Sequence, residues 1–302
     1  MGLIWYNVRG RPKGRIMTEL ASNEMTLEKR IQREIMSFSG VMGIYASDLR
    51  GRVITINADQ GFETASTIKS FILAVLFQKV QAGEKSLGDL LAFTAENAAS
   101  GSGLLQSLEH GTQLSVKNLA TLMIIVSDNV ATNMLIDYLG LEEINRCIES
   151  MGFTATKLHC KIGEENWARL GTTTPSDYGR LFERLATGTL TGPKGDGEML
   201  EIFKGQHYNS LLTNALPPYY IDSDNCGDEK IFSLASKSGS MNACRNDGGI
   251  METPFGNYVV AIFTKEFHDS QYHTNHESYI YGGKVSRLLF DQYLALEGRF
   301  SL

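Results

Sequence analysis

Apolar positions recur along this chain with two different periods, and the change from one to the other divides it. From Thr26 to Met36 the run TLEKRIQREIM sets Leu27, Ile31, Ile35 and Met36 at helical spacing among charges, which predicts an amphipathic helix. Two strand-like runs follow, VMGIYA at 41–46 and VITINA at 53–58, and the polar SDLRGR between them predicts a hairpin. The period then lengthens. SFILAVLFQKV at 70–80 is apolar on all sides, as a helix buried in the middle of a fold would be. SVKNLATLMIIV at 115–126 follows a helical pattern behind Ser115 as N-cap. NVATNMLIDYL at 129–139 predicts another helix, with Gly140 as its C-cap. PSDYGRLFERLATG at 175–188 opens with Pro175 in its first turn. Strand-like runs return at 231–240 (IFSLASKSGS), 248–253 (GGIMET) and 257–264 (NYVVAIFT), separated by short turns, and KVSRLLFDQYLALEG at 284–298 predicts a closing helix.

Strands and a helix at each end thus enclose a helical middle. If the two ends meet, five antiparallel strands form one sheet flanked by helices and the middle becomes an all-helical lobe, a two-lobed α/β (α+β) architecture. The expected organisation is an N-terminal arm over 1–25, then a single domain over 26–302. Its sheet lobe takes 26–63 and 225–302 and its helical lobe 64–224.

Composition narrows the function classes. A chain of 302 residues with 42% hydrophobic content can bury a sizeable core, and a formal net charge of −6 argues against nucleic-acid binding. No apolar run reaches membrane-spanning length. The opening MGLIWYNVRGRPKGR has no apolar signal core, so the expected location is cytoplasmic, or secreted or periplasmic if a signal has been removed. Tyr6 stands where myristoylation would need Ser or Thr. Cys147, Cys160, Cys226 and Cys244 include no C-x-x-C pair, and buried thiols are expected in place of a zinc site. His273 and His276 are one helical turn apart but have no evident third ligand. The expectation is a monomer acting on a small molecule, with no metal and no cofactor.

Three short polar islands carry the candidate chemistry. Ser66-Thr67-Ile68-Lys69 stands at the mouth of the all-apolar helix. Ser and Lys three apart on a helix share a face. A serine hydroxyl needs a neighbouring base, and Lys69 can be that base if burial keeps it neutral. A helix N-terminus at Ser66 also favours developing negative charge. The second island, Ser127-Asp128-Asn129, is a polar turn between two apolar helices. Ser127 can shuttle a proton, Asn129 can donate its amide to a substrate carbonyl, and Asp128 can brace the turn; an ordinary capped turn accounts for the tripeptide equally well. The third, Lys237-Ser238-Gly239, puts a charge and a glycine inside a strand, where both are locally unfavourable. A ligand carboxylate read by Lys237 and Ser238 explains them, and so does an edge strand protected by its lysine.

In this order the islands form the S-x-x-K, S-D-N and K-[TS]-G set, and the chain resembles a class A β-lactamase or related penicillin-binding serine hydrolase. The strings FETASTIK, LATLMIIVSDNVATNMLID, TTTPSDYGRL and SKSGSMNACRNDGGIM extend the resemblance over about residues 38–298. It implies a β-lactamase/transpeptidase-like fold and an acyl-enzyme on Ser66, with a β-lactam or peptide-like acyl donor as substrate. Lys69 would be part of the base, Ser127 a proton relay, Asn129 a holder of the substrate amide. Lys237 and Ser238 would bind the substrate carboxylate, Gly239 would allow close approach, and the backbone N–H groups of Ser66 and Ser240 would form the oxyanion hole. The alternatives are a D-alanyl-D-alanine peptidase or esterase, and a sensor that is acylated without turnover.

The chain departs from the family pattern in one loop. Class A enzymes position their deacylating water with a glutamate in E-x-x-L-N, and that motif is absent from KLHCKIGEENWARLGTTTP. Glu164 and Glu165 are the candidates, in a loop that is short, and solvated loop carboxylates are the competing reading. Arg245 can read a carboxylate or belong to the turn RNDGG.

Overall fold

A computed structural model of the chain describes residues 25–163, 169–217 and 232–296. Among these are eight α-helices: α1 Leu27–Glu34, α2 Ile68–Gln81, α3 Val116–Ile125, α4 Asn129–Leu139, α5 Leu141–Ser150, α6 Pro175–Ala186, α7 Pro193–Lys204 and α8 Glu277–Leu296. The strands are β1 Val41–Ser47, β2 Val53–Ile56, β3 Phe62–Glu63, β4 Leu90–Ala92, β5 Gln113–Ser115, β6 Lys157–Leu158, β7 Gly171–Thr173, β8 Ser233–Ser236, β9 Gly239–Met241, β10 Cys244–Glu252 and β11 Tyr258–Lys265.

The ends of the chain do meet. β1 pairs antiparallel with β11 from Val41 opposite Lys265 to Ser47 opposite Val259, and the main sheet runs β2-β1-β11-β10-β8. β9 also pairs with β10, so β8 and β9 lie in line on one partner. One face of this sheet packs on the helical middle through Tyr45, Val259, Ala261 and Phe263. The other packs on α1 and α8 through Ile44, Ile262, Leu289 and Phe290. Tyr178 of α6 and Phe62 each meet the ring of Phe263 edge-on, which locks the helical core to the sheet.

Local chemistry sets the helix ends where the sequence predicts them. Ser115, Asp128 and Thr174 cap α3, α4 and α6 by accepting from the backbone N–H of Asn118, Ala131 and Asp177. Gly140 ends α4 with φ +85°. α2 is buried at every residue from Ile68 to Phe77, as its unbroken apolar run requires.

Four details differ from the sequence-based expectation. The last helix begins at Glu277, well before Lys284, because Gly282 and Gly283 are contact points and not breaks: a Cβ at either would come within 2.8 Å of Leu211 or Asn214. RNDGG is not a turn but part of β10, buried throughout, since Asn246 and Asp247 find partners inside the fold. β2 stops at Ile56, where Asn57 turns to φ +49°. The expected strand 231–240 is divided into β8 and β9, with Lys237 and Ser238 between them. α5 and α7 carry no such expectation; α5 follows α4 directly at Gly140, and α7 contains Gly195 and Gly197. No described helix is long and apolar enough to cross a membrane.

The seating of α6 on the sheet gives a stability test. A Cβ at Gly179 would overlap the ring of Tyr45. Gly179→Val is expected to lose about 2–3 kcal/mol through overpacking, read as a lower urea midpoint with an unchanged slope.

Candidate active site

Ser66 sits in a short 3-10 turn, Ala65–Thr67, that feeds directly into α2. The turn is held at both ends. Ala65 adopts φ +44°, and its N–H donates to Glu63 Oε1 at 3.3 Å. The Thr67 hydroxyl donates to the Thr64 carbonyl at 2.7 Å. Ser66 is half-buried in an otherwise buried segment.

One turn later Lys69 is fully buried. Its Nζ donates to the Ser127 carbonyl at 2.7 Å, to Ser127 Oγ at 3.1 Å and to Asn129 Oδ1 at 2.9 Å. These contacts supply oxygen dipoles but no carboxylate. Burial therefore pulls the Lys69 amine well below its ordinary range, and Lys237 adds to the fall against a smaller opposing pull from Asp128. A lysine so placed can exist as the neutral amine that a general base must be.

The Ser127-Asp128-Asn129 island is a braced turn. Ser127 takes φ +53°. Fully buried Asp128 holds it there, accepting from Leu104 N at 2.6 Å, Leu105 N at 2.9 Å and Ala131 N at 2.9 Å. Asn129 donates one amide hydrogen to the Ser100 carbonyl at 2.8 Å, which leaves its second for another acceptor.

The third island closes the site from the sheet. A Cβ at Gly239 would lie 2.7 Å from Thr64 O and 2.8 Å from the N atoms of Ser66 and Thr67, so only glycine lets β9 come this near the serine turn. Asn246, opposite Gly239 on β10, fastens the approach by donating to Glu63 O at 2.7 Å. Lys237 is buried and donates to its neighbour's carbonyl, Ser238 O, at 2.7 Å; Ser238 Oγ donates to Tyr208 O at 2.8 Å. Burial lowers the Lys237 amine to about 7, with Asp247 opposing the fall. Burial likewise raises Asp247 against the pull of Leu212 N, Lys237 and Gly248 N. The structure thus brings Ser66, Lys69, Ser127, Asn129 and the Lys237–Ser240 strand together.

Other expected residues fall elsewhere. Arg245 is fully buried, and its guanidinium donates to the carbonyls of Met241, Cys244 (2.9 Å) and Gln271 (3.1 Å). Glu164 and Glu165 lie outside the described residues, as does Cys226. Cys147, Cys160 and Cys244 are buried. His273 pairs with Asp269 at 2.7 Å, and buried His276 is bonded to Asp269 O in the same loop and to Ser278 N in the first turn of α8.

Sequence reasoning missed four residues that shape the site: Glu63, Tyr178, Asn246 and Asp247. Tyr178 Oη donates to Lys237 O at 2.8 Å and shares a hydrogen bond with Ser70 Oγ at 3.0 Å, so α6 ties the lysine strand to the serine helix. Polar Asn246 and Asp247 beside GGIMET resembled a turn; their adjacency to an apolar strand was the available signal.

A two-core fold of this topology, with a serine–lysine turn facing a glycine-bearing edge strand, defines a hydrolase of the β-lactamase type. The chain belongs to the β-lactamase enzyme family, whose model matches residues 26–293. It is 29% identical over 226 residues to a β-lactamase of Streptomyces albus G, covering 70% of this chain and 68% of that one. Among solved structures it superposes on a β-lactamase from Sphaerobacter thermophilus with TM-score 0.75 and 27% identity, over 88% of this chain and 96% of that one. An acyl-enzyme complex of a PBP-A variant with penicillin G gives TM-score 0.78 and 27% identity, over 89% and 96%. At the level of the family, this is a hydrolase of β-lactams.

The Lys237–Asp247 couple gives a pH test. If protonated Lys237 is what holds an anionic substrate, affinity falls as pH rises through its pKa. Asp247 raises that pKa, so Asp247→Asn is expected to shift the loss of affinity to lower pH. The measurement is the penicillin concentration for half-maximal acylation between pH 5 and 9 (on the order of the range in which the couple titrates).

Proposed function

We propose that the protein opens β-lactam amides through an acyl-enzyme on Ser66 and releases that intermediate slowly. The observation that supports this most is Lys69: wholly buried, one helical turn after Ser66, and bonded only to oxygens of Ser127 and Asn129. In this reading the neutral amine takes the proton of Ser66 Oγ as that oxygen attacks the lactam carbonyl and the new C–O bond forms. The oxyanion rests on the N–H groups of Ser66 and Ser240, which the close approach of β9 at Gly239 makes neighbours. The lactam C–N bond then breaks, and its nitrogen takes back a proton from Lys69 through the Ser127 hydroxyl, 3.1 Å from the amine.

Release needs a water activated next to the ester carbon. Without E-x-x-L-N, Glu164 and Glu165 lack the setting that aims a deacylating glutamate. Loss of a well-placed base costs about two to four orders of magnitude in rate. A D-alanyl-D-alanine peptidase or esterase that penicillin traps is the second reading, favoured by the likeness to PBP-A, one variant of which is held as a penicillin G acyl-enzyme.

Four outcomes are expected. Intact-protein and peptide mass spectrometry finds one penicillin adduct, on Ser66; an adduct that survives in Ser66→Ala defeats the assignment. Lys69→Ala slows acylation at least about a hundredfold in stopped-flow. Because Lys69 must be neutral to act and burial lowers its pKa, wild-type acylation rises with pH and levels off well below the ordinary lysine range. A chromogenic cephalosporin gives a rapid burst of about one equivalent and then slow turnover; fast turnover without a burst that collapses in Glu164→Gln or Glu165→Gln identifies an efficient loop base instead.

A further inference from the structure

Arg245 leaves the site without its expected arginine, and what it does instead decides what stands in that place. It lies at the start of β10 with its terminal nitrogens spent on Met241 O, Cys244 O and Gln271 O. Its guanidinium also stacks over the Tyr272 ring, 4.1 Å from the centroid. These contacts fasten the β9–β10 turn to the loop between β11 and α8. That loop is further held by His276, whose ring is bonded to Asp269 O at 2.6 Å and to Ser278 N at 3.1 Å. The loop therefore delivers the first turn of α8 to a fixed position beside β9.

There the Tyr279 hydroxyl meets the Ser240 hydroxyl at 3.3 Å. Ser240 is exposed and Tyr279 half-buried, so the pair stands open at the rim. Ser240 follows Gly239 on β9, so the pair stands one residue beyond the point where a Cβ at Gly239 would meet the Ser66 turn. Two hydroxyls bonded to each other use only one of their two protons. When an anion arrives both can turn and donate to it, as hydroxyls rotate freely about their C–O bonds. Buried Lys237 supplies positive charge behind them, with one N–H committed to Ser238 O.

We propose that Tyr279, with Ser240, is the specificity-determining residue that reads the carboxylate of the acyl donor, and that Arg245 is a positioning residue that builds the wall carrying Tyr279. This rests on the acylation of Ser66 proposed above. The carboxylate lies between the Lys237 ammonium and the two hydroxyls, and the recognition is by hydroxyl donors in a geometry that a guanidinium fixes from behind.

The test compares benzylpenicillin with its methyl ester, which keeps the lactam and lacks the anion. Stopped-flow acylation of the full chain gives the limiting rate and the half-saturating concentration for each. Tyr279→Phe is expected to reduce the acid-to-ester ratio of acylation efficiency at least about tenfold, the scale of a hydrogen bond to a charged group. The loss appears in the half-saturating concentration and not in the limiting rate. Ser240→Ala gives a similar loss, and the double variant loses less than the product of the two. Arg245→Lys is expected to lower the same ratio, and to lower it little further when combined with Tyr279→Phe, because it acts through Tyr279. An unchanged ratio in folded Tyr279→Phe, confirmed by an unchanged melting temperature, overturns the proposal. So does an Arg245→Lys variant whose selective loss of the acid persists in full in the Tyr279→Phe background, which would make Arg245 a reader in its own right. Wild-type protein that neither compound acylates overturns the functional reading and this inference with it, an outcome distinct from acylation without discrimination.

Discussion

The proposed chemistry depends on keeping one amine out of water without giving it a countercharge. Lys69 is buried against oxygens that are dipoles, and the two terms of that arrangement oppose each other. Desolvation disfavours the ammonium, and three oxygens favour whatever protons the nitrogen keeps. A carboxylate in place of the Asn129 amide would resolve the conflict by pairing, and would leave no base. Asp128, one residue away, is instead turned to backbone N–H groups, where its charge is spent on bracing the turn.

That amine can matter only if the serine turn, the 127–129 turn and the sheet converge, and each junction has its own physical cause. α2 is apolar on every side, so the core surrounds it and fixes the direction in which Ser66 and Lys69 emerge. The sheet approaches because Gly239 has no side chain to hold it off. Tyr178 joins the two from beneath, with one hydroxyl serving Ser70 of the helix and Lys237 of the strand. Burying that hydroxyl costs little, because both of its hydrogen-bonding capacities are met.

Much of this was legible in the sequence. The strand and helix runs, the cap at Ser115, the bracing Asp128 and the three islands are local signals, and local chemistry decides them. What escaped is what depends on a distant partner. The closing helix reads only from Lys284 in the sequence, yet it runs back through Gly282 and Gly283, which have Leu211 and Asn214 against them. Asn246 and Asp247 read as turn formers, yet their acceptors and donors come from Glu63, Thr264 and Leu212. Arg245 was divided between substrate and turn; its carbonyl partners include Gln271, which no spacing rule connects to it.

Two non-glycine residues in the left-handed region flank the proposed chemistry: Ala65 just before Ser66, the proposed nucleophile, and Ser127, the proposed relay. Each costs about 1–2 kcal/mol relative to an ordinary backbone conformation. Glycine at either place would relieve that cost and also free the chain to leave the pose. Selection for heat resistance alone would favour glycine at position 65 only where the relieved strain exceeds the entropy that glycine adds to the unfolded chain, and in either case it would loosen the proposed nucleophile. The strain marks where endurance and reactivity pull this sequence in opposite directions.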